Sequence, residues 1–415
     1  MKLPEIEKRL LDTLGKFQII DCHEHLPPEK VRMKTEVDFF TLFSQYTHWD
    51  LLRAGMSEED YQSLFNRKTS LDIRWEKFAP YWKKIRWTSY SRAVLITVKK
   101  FFGAGEINEK TYSKISDAIK KTNKPGLYAK ILRNACNIKT CLTQCGTTET
   151  GTDLLTPVMP MQFELENRKA LSHPFFEKNG GIKSLNDYLD AVGRYVLKVK
   201  SEGAVGLKMV SLPYGEPNQS EALRLFKKIK SGKTLPSSQF PNFLKRNSLR
   251  DYITDWTIRL AGEQNLVIAV HTGYWGDFRN VDPLHMIPLL QRHPNVRFDI
   301  YHAGYPWVRE TLMLGKGFSN VWLNFCWTHI ISQRFAMAAL DEALDLVPIN
   351  KILAFGGDYG TPVEKVYGHL QMAREDIAKI LAKRINENQM KEAEALKIAH
   401  QWFWENPKEL YHLKV

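Results

Sequence analysis

The chain has 415 residues, 43% of them hydrophobic and 25% charged, with a formal net charge of +13, an ordinary globular mixture. It contains no apolar run of about 18 residues, which excludes a membrane-spanning helix of the usual kind. The first residues, MKLPEIEKRLLDTLGKF, read as a short amphipathic helix without a secretory apolar core, so a cytoplasmic location is expected. Cys22, Cys136, Cys141, Cys145 and Cys326 form no CxxC pair, and reduced, buried thiols are expected rather than disulfides or a zinc knuckle.

Apolar, β-branched runs recur at 17–25, 137–146, 154–163, 203–212, 265–273, 296–304, 321–329 and 351–360. Helical candidates stand between them, among them SLNDYLDAVGRYVLKVKSEG, SLRDYITDWTIRLAGEQ, WVRETLMLGKGF and QRFAMAALDEALDLV. Strands alternating with helices argue for parallel βα units. Eight of them predict an α/β fold, a (β/α)8 TIM barrel formed by residues 1–415 as one domain. Two stretches break the rhythm. Residues 26–136 are too long for one βα connection, and predict a helical insertion, a cap, after strand 1. Within it, the spacing of Trp75, Phe78, Trp82 and Ile85 fits one apolar helix stripe with Lys and Arg on the solvated side, so nucleic acid is not expected as a partner. The second stretch, 211–250, with PYGEP and SGKTLPSSQFPN, predicts a polar loop, and a helical pair at 374–384 and 387–404 closes the chain.

The stretch QIIDCHEHL, residues 18–26, places His23 and His25 at i and i+2. On a strand the two imidazoles share a face, and Glu24 points away toward the barrel exterior. Barrel active sites lie at the C-terminal ends of the strands. There the chain carries His23 and His25 on strand 1, Lys208 on strand 4, His271 on strand 5, His302 on strand 6 and Asp358 on strand 8. Neutral imidazoles with a carboxylate suit Zn²⁺, with Mn²⁺ or Fe²⁺ as alternatives. Asp358 is expected to act as a ligand and a proton acceptor, and His302 to polarise a carbonyl or move a proton. Lys208 has two readings: it clamps a substrate carboxylate, or it carries a carbamate and raises the metal count from one ion to two. The positive charge suits a small anionic substrate. His48 and Trp49 in the cap, His329 and Arg309 are weaker candidates, and His293 is expected to cap a helix or lie at the surface. GxSxG, P-loop and dinucleotide-binding motifs are absent.

HxH on strand 1, Lys on strand 4, His on strands 5 and 6 and Asp on strand 8 resemble the amidohydrolase superfamily. HAGYP, and FGGDYG followed by VEKVYGHLQMAREDIAKIL, resemble its amidohydrolase-related branch, which also holds metal-dependent decarboxylases. The likeness implies a mononuclear site with His23, His25, His271 and Asp358 as metal ligands and His302 beside the metal. WEKFAPYWKKIRWTSYSRAV, FFGAGEINEKTYSKISDAI and NIKTCLTQC resemble the uronate isomerase pattern, in which an inserted segment closes over a sugar acid. The expected activity is that of a metal-dependent hydrolase directing activated water at an amide, ester or lactone carbonyl of a small carboxylate. Aldose–ketose isomerisation of a uronate and non-oxidative decarboxylation are the alternatives. No membrane partner is expected, and a homo-oligomer remains open.

Overall fold

Each apolar run supplies one strand: β1 Ile19–Glu24, β2 Ile138–Thr143, β3 Leu155–Pro160, β4 Gly206–Val210, β5 Val267–His271, β6 Phe298–Ile300, β7 Val321–Asn324 and β8 Ile352–Leu353. All seven strand pairings are parallel, in chain order from β1 to β8. Backbone bonds close the ring, from Cys22 N–H to Phe355 O at 2.9 Å and from Asp358 N–H to His23 O at 2.8 Å. The chain is thus a (β/α)8 barrel. The computed structural model describes residues 4–161, 165, 168–172, 181–235, 246–274 and 276–415. The end of the third predicted run, at 162–163, and part of the predicted polar loop, at 236–245, lie outside the described residues.

Strands covered on both faces need apolar side chains on both. Ile19, Leu207, Ile268 and Phe298 belong to the main core, which includes the surrounding helices. Ile20, Cys22, Leu142, Val158, Val267 and Ala269 form a second cluster together with Leu410, Tyr411 and Leu413. The end of the chain therefore packs with the barrel lining. Among the described residues, no helix is long and apolar enough to cross a membrane.

Between β1 and β2 the chain forms several helices, including Leu71–Ile85, Ser89–Phe102 and Tyr112–Thr122. They share a core of their own, in which Phe39, Phe43, Trp75, Phe78, Trp82 and Ile85 are buried. The predicted stripe is the buried face of Leu71–Ile85, whose N-terminus Ser70 caps by accepting the Ile73 N–H. Arg74, almost fully buried, donates to Asp38 at 2.6 Å, and Arg67 pairs with the same carboxylate. A second buried pair, Arg32 with Glu364 at 3.0 Å, joins this segment to the long helix Glu364–Asn386.

Two expectations about elements need correction. The stretch 211–250 is not simply a loop, because Gln219–Lys230 is helical, with Ala222, Phe226 and Ile229 on its buried side and Asn218 as its cap. The apolar spacing of EALRLFKKI carried that signal between flanking Pro and Gly residues. The closing helix starts at Glu364 rather than 374, directly after the turn that follows β8.

Candidate metal centre

The face of the His pair is decided by an irregularity in β1. Asp21 pairs with Cys141 and Glu24 with Thr143, so three steps of β1 run against two of β2. Ile20 and Cys22 belong to the barrel lining, and strict alternation would turn His23 outward. The bulge supplies one extra residue and brings His23 and His25 to the same side. Their rings stand 4.9 Å apart.

Glu24 and Asp21 lie on the other side, and neither meets solvent, each being 0% exposed. Asp21 Oδ1 accepts from the N–H groups of His23 and Gly357, both at 3.2 Å, while Glu24 Oε2 accepts from Tyr359 N–H at 2.6 Å. Together they clamp the Gly356–Gly360 turn that carries Asp358. Gly357 is required there, since a Cβ would stand 1.9 Å from Glu24 Oε1. Burial pushes both carboxyl groups up, Asp21 to about 7 and Glu24 well above its ordinary value, with Asp21 adding to the rise of Glu24. The acid between the two histidines is thus a support for the turn on the far side of the barrel seam.

Asp358 has φ 62, an uncommon backbone state for a non-glycine residue. Its carbonyl accepts from Gln45 Nε2 at 2.9 Å and Tyr46 Oη at 2.8 Å, both from the inserted segment, and His369 Nδ1 lies 3.2 Å from Gly357 O. The Asp358 carboxylate then meets the His pair: Oδ1 is 3.0 Å from His23 Nε2 and 3.3 Å from His25 Nε2. Burial alone would raise the Asp358 pKa, but His23 and its neighbours hold it well below the usual carboxylate range. Burial lowers the pKa of His23 to about 3 and of His271 to about 3, and that of His302 well below its ordinary value. The site therefore combines neutral imidazoles with an ionised carboxylate.

The other expected residues stand around this trio. His271 ends β5, with Nδ1 3.2 Å from His302 Nε2, and His302 Nε2 is 4.0 Å from Asp358 Oδ2. Lys208 is not at a strand end, because β4 runs on to Val210, which is the residue in register with His271. Its amine still reaches the site. Nζ donates to Gln144 Oε1 at 2.9 Å and lies 4.1 Å from the Tyr301 ring, which in turn is 4.4 Å from the His23 ring. The protein packed around the amine lowers its pKa to about 8. His25, Lys208 and His271 keep partial exposure, so the site opens to solvent on their side.

A divalent metal fits these donors. Among the described residues, His23, His25 and Asp358 offer ligand atoms all within 4.8 Å of one another. Both ring nitrogens of buried His23 lack an aligned hydrogen bond although Nε2 is 3.0 Å from a carboxylate oxygen. Imidazole lone pairs converging on a carboxylate without hydrogen-bond alignment are what a first-row cation requires. His271 stands outside this trio and touches it through His302.

Other candidates lie elsewhere. His48 pairs with Glu58 at 2.8 Å and stacks on Tyr61 within the insertion, Arg309 pairs with Glu342 at the surface, and buried His329 bridges Asp376 and the Ala354 carbonyl. His293 is the C-cap of the helix Ile287–Arg292, its N–H donating to Leu289 O at 3.0 Å, as one of the two expectations had it, and its ring is buried against Asp255 at 2.9 Å rather than at the surface. Sequence reasoning missed Gln144, Tyr301 and the pair Gln45–Tyr46. Gln144 follows β2 and met the strand-end criterion used for the histidines, whereas nothing local marks Gln45 or Tyr46.

The amidohydrolase family model matches residues 190–413. Glucuronate isomerase from Caulobacter crescentus superimposes with a TM-score of 0.80 at 18% identity, covering 99% of this chain and 94% of that one. A protein of Lactobacillus casei ATCC 334 described as a metal-dependent hydrolase gives a TM-score of 0.66 at 18% identity, with 97% of each chain covered. Protein fluG of Emericella nidulans is 24% identical over 174 residues, 40% of this chain, and the match spans only 20% of that longer protein.

Proposed function

The chain belongs to the amidohydrolase family, and on that premise we propose that it is a metal-dependent hydrolase acting on an amide, ester or lactone carbonyl of a small carboxylate-bearing substrate. The convergence of His23, His25 and Asp358, with neutral imidazoles around an ionised acid, carries the proposal. These three residues and His271 would hold one ion, with Zn²⁺ the best match to the donor set. When bound, the ion supplies Lewis acidity and makes water a nucleophile near neutral pH.

The side chains divide the remaining work. Asp358 takes the proton of the attacking water and delivers it to the leaving group, a role suited to an acid held ionised at the floor of an open site. Lys208, partly exposed beside Gln144 and Tyr301, binds the substrate carboxylate. Carboxylation of Lys208 would instead call for a second ion. The helical segment 26–136 serves as the cap, supported by the contacts of Gln45 and Tyr46 with the Asp358 carbonyl. Metal content by plasma mass spectrometry, followed by lactone, ester and amide hydrolysis, is the test. One ion per chain is expected, with activity reduced by about three orders of magnitude or more in Asp358→Asn. A chain that takes up no Zn²⁺, Mn²⁺ or Fe²⁺ would overturn it.

Isomerisation of a uronate is a second reading, favoured by the 0.80 TM-score with glucuronate isomerase, which extends over the inserted helices as well as the barrel. Formation of a keto sugar from glucuronate, without hydrolysis of any lactone or amide, would replace the first reading with this one.

A further inference from the structure

His302 has protein partners at both ring nitrogens. Nδ1 lies 3.3 Å from the Cys326 carbonyl oxygen, and Nε2 lies 3.2 Å from His271 Nδ1. A carbonyl oxygen can only accept, so His302 carries its single ring proton on Nδ1. Its Nε2 is then a lone pair, and His271 must meet that lone pair with Nδ1–H. The one nitrogen of His271 left without a proton is Nε2.

We propose that His302 is a positioning residue: the Cys326 carbonyl, through the His302 ring, selects the His271 tautomer whose Nε2 is free to ligate the metal. The tautomer of a ligating histidine is set by the bond its other nitrogen makes. Here the partner of that nitrogen is a second imidazole, itself oriented by a backbone group. His302 thereby has no nitrogen left for a substrate carbonyl.

The carbonyl at the start of the relay is held firmly. Cys326 N–H donates to Asn324 Oδ1 at 2.9 Å, Asn324 Nδ2 donates to Asp299 Oδ2 at 3.0 Å, and Tyr411 Oη donates to the same oxygen at 2.6 Å. On the next residue, Trp327 N–H donates to Gly356 O at 2.9 Å. A side chain at 356 would collide with Cys326 and His23, whose Cβ atoms stand 2.5 and 2.9 Å from the added carbon. The backbone of His302 is in the left-handed region, φ 64, and the residue is fully buried, so the ring is enclosed by protein on every side. The Cys326 Sγ lies at the same distance from Nδ1, 3.3 Å, and as a weak acceptor it can share the Nδ1 proton without moving it to Nε2.

This inference rests on the metal reading, and two measurements keep the failures apart. Long-range ¹⁵N–¹H spectra of the metal-free full chain report ring tautomers whether or not metal binds. Both His271 and His302 are expected to be protonated at Nδ1, and a proton on His271 Nε2 would overturn the relay. Zn²⁺ affinity by chelator competition comes second. His302→Leu is expected to weaken it by about 10- to 100-fold. His302→Gln, whose amide oxygen can accept from His271, is expected to recover most of the loss. X-ray absorption of the Zn²⁺-loaded His302→Leu protein should show as many imidazole ligands as the native chain. Unchanged affinity in His302→Leu would overturn the relay, and the loss of one imidazole would make His302 a ligand instead. A native chain that binds no Zn²⁺ removes the metal reading and, with it, this role for the relay.

Discussion

Gly357 shows how little space the metal site leaves at single positions. Its missing side chain makes room for Glu24, whose carboxylate binds the next turn of backbone through Tyr359 N–H. Gly357→Ala should lower stability by about 1–3 kcal/mol, because a fully buried neighbour must leave its rotamer. Urea unfolding would measure this, and metal uptake should fall in the same variant as the Asp358 turn shifts. A variant with native stability and native uptake would mean that the clamp is slack. The same residues show how a local pattern can be read correctly yet incompletely. HEH marks two imidazoles on one face, whereas the purpose of the acid between them depends on Gly357 and Tyr359, more than 300 positions away.

At the scale of elements, polar pairs between helices and loops carry much of the arrangement. Arg32 and Glu364 are both essentially unexposed, and Arg32 also donates to Thr361 O at 2.9 Å. Arg32→Ala leaves a buried carboxylate unpaired, and should cost about 3–5 kcal/mol. Thermal unfolding checks the cost, and a drop below about 1 kcal/mol would mean that water replaces the guanidinium. Asp255, on the helix Ser248–Glu263, accepts from Arg292 at 2.7 Å and His293 at 2.9 Å across to the helix Ile287–Arg292. Partial burial works against its charge, yet His293 and Arg292 prevail and lower its pKa below the ordinary carboxylate value. A depressed folded pKa stabilises above the unfolded value, about 4, and that contribution is lost as pH falls through the folded one. Asp255→Asn should therefore lower Tm at pH 7, with the gap to the native chain closing below about pH 4. A gap that stays constant down to about pH 2 would remove the ionic account.

Across the whole molecule, the end of the chain is built into the barrel that its beginning opens. Tyr411 packs with the strand lining and donates to Asp299, which burial pushes up to about 7 and which also receives Asn324. Tyr411→Phe keeps the packing and removes one donor from a buried acid, at an expected cost of about 1–3 kcal/mol. Denaturant midpoints measure it, and an unchanged midpoint would show that Asp299 is satisfied without Tyr411.

Much of this architecture is legible in the sequence because its signals are local. Eight β-branched runs alternating with amphipathic helices specify a parallel barrel, and strand-end placement picks out His23, His25, His271, His302 and Asp358 without any contact being known. Periodicity also places Trp75, Phe78, Trp82 and Ile85 inside the inserted segment. What only the tertiary structure decides is register and approach. The bulge that turns His23 inward exists because β1 pairs with β2 across more than 110 intervening residues. Lys208 reaches the site from inside its strand because Gln144 and Tyr301 converge on it. His271 meets His302 because β5 and β6 pair side by side, and Asp358 meets the HEH strand only when the ring closes from β8 back to β1. Side-chain periodicity depends on neighbours a few residues away, whereas the geometry of a shared ligand set depends on how distant backbones stack.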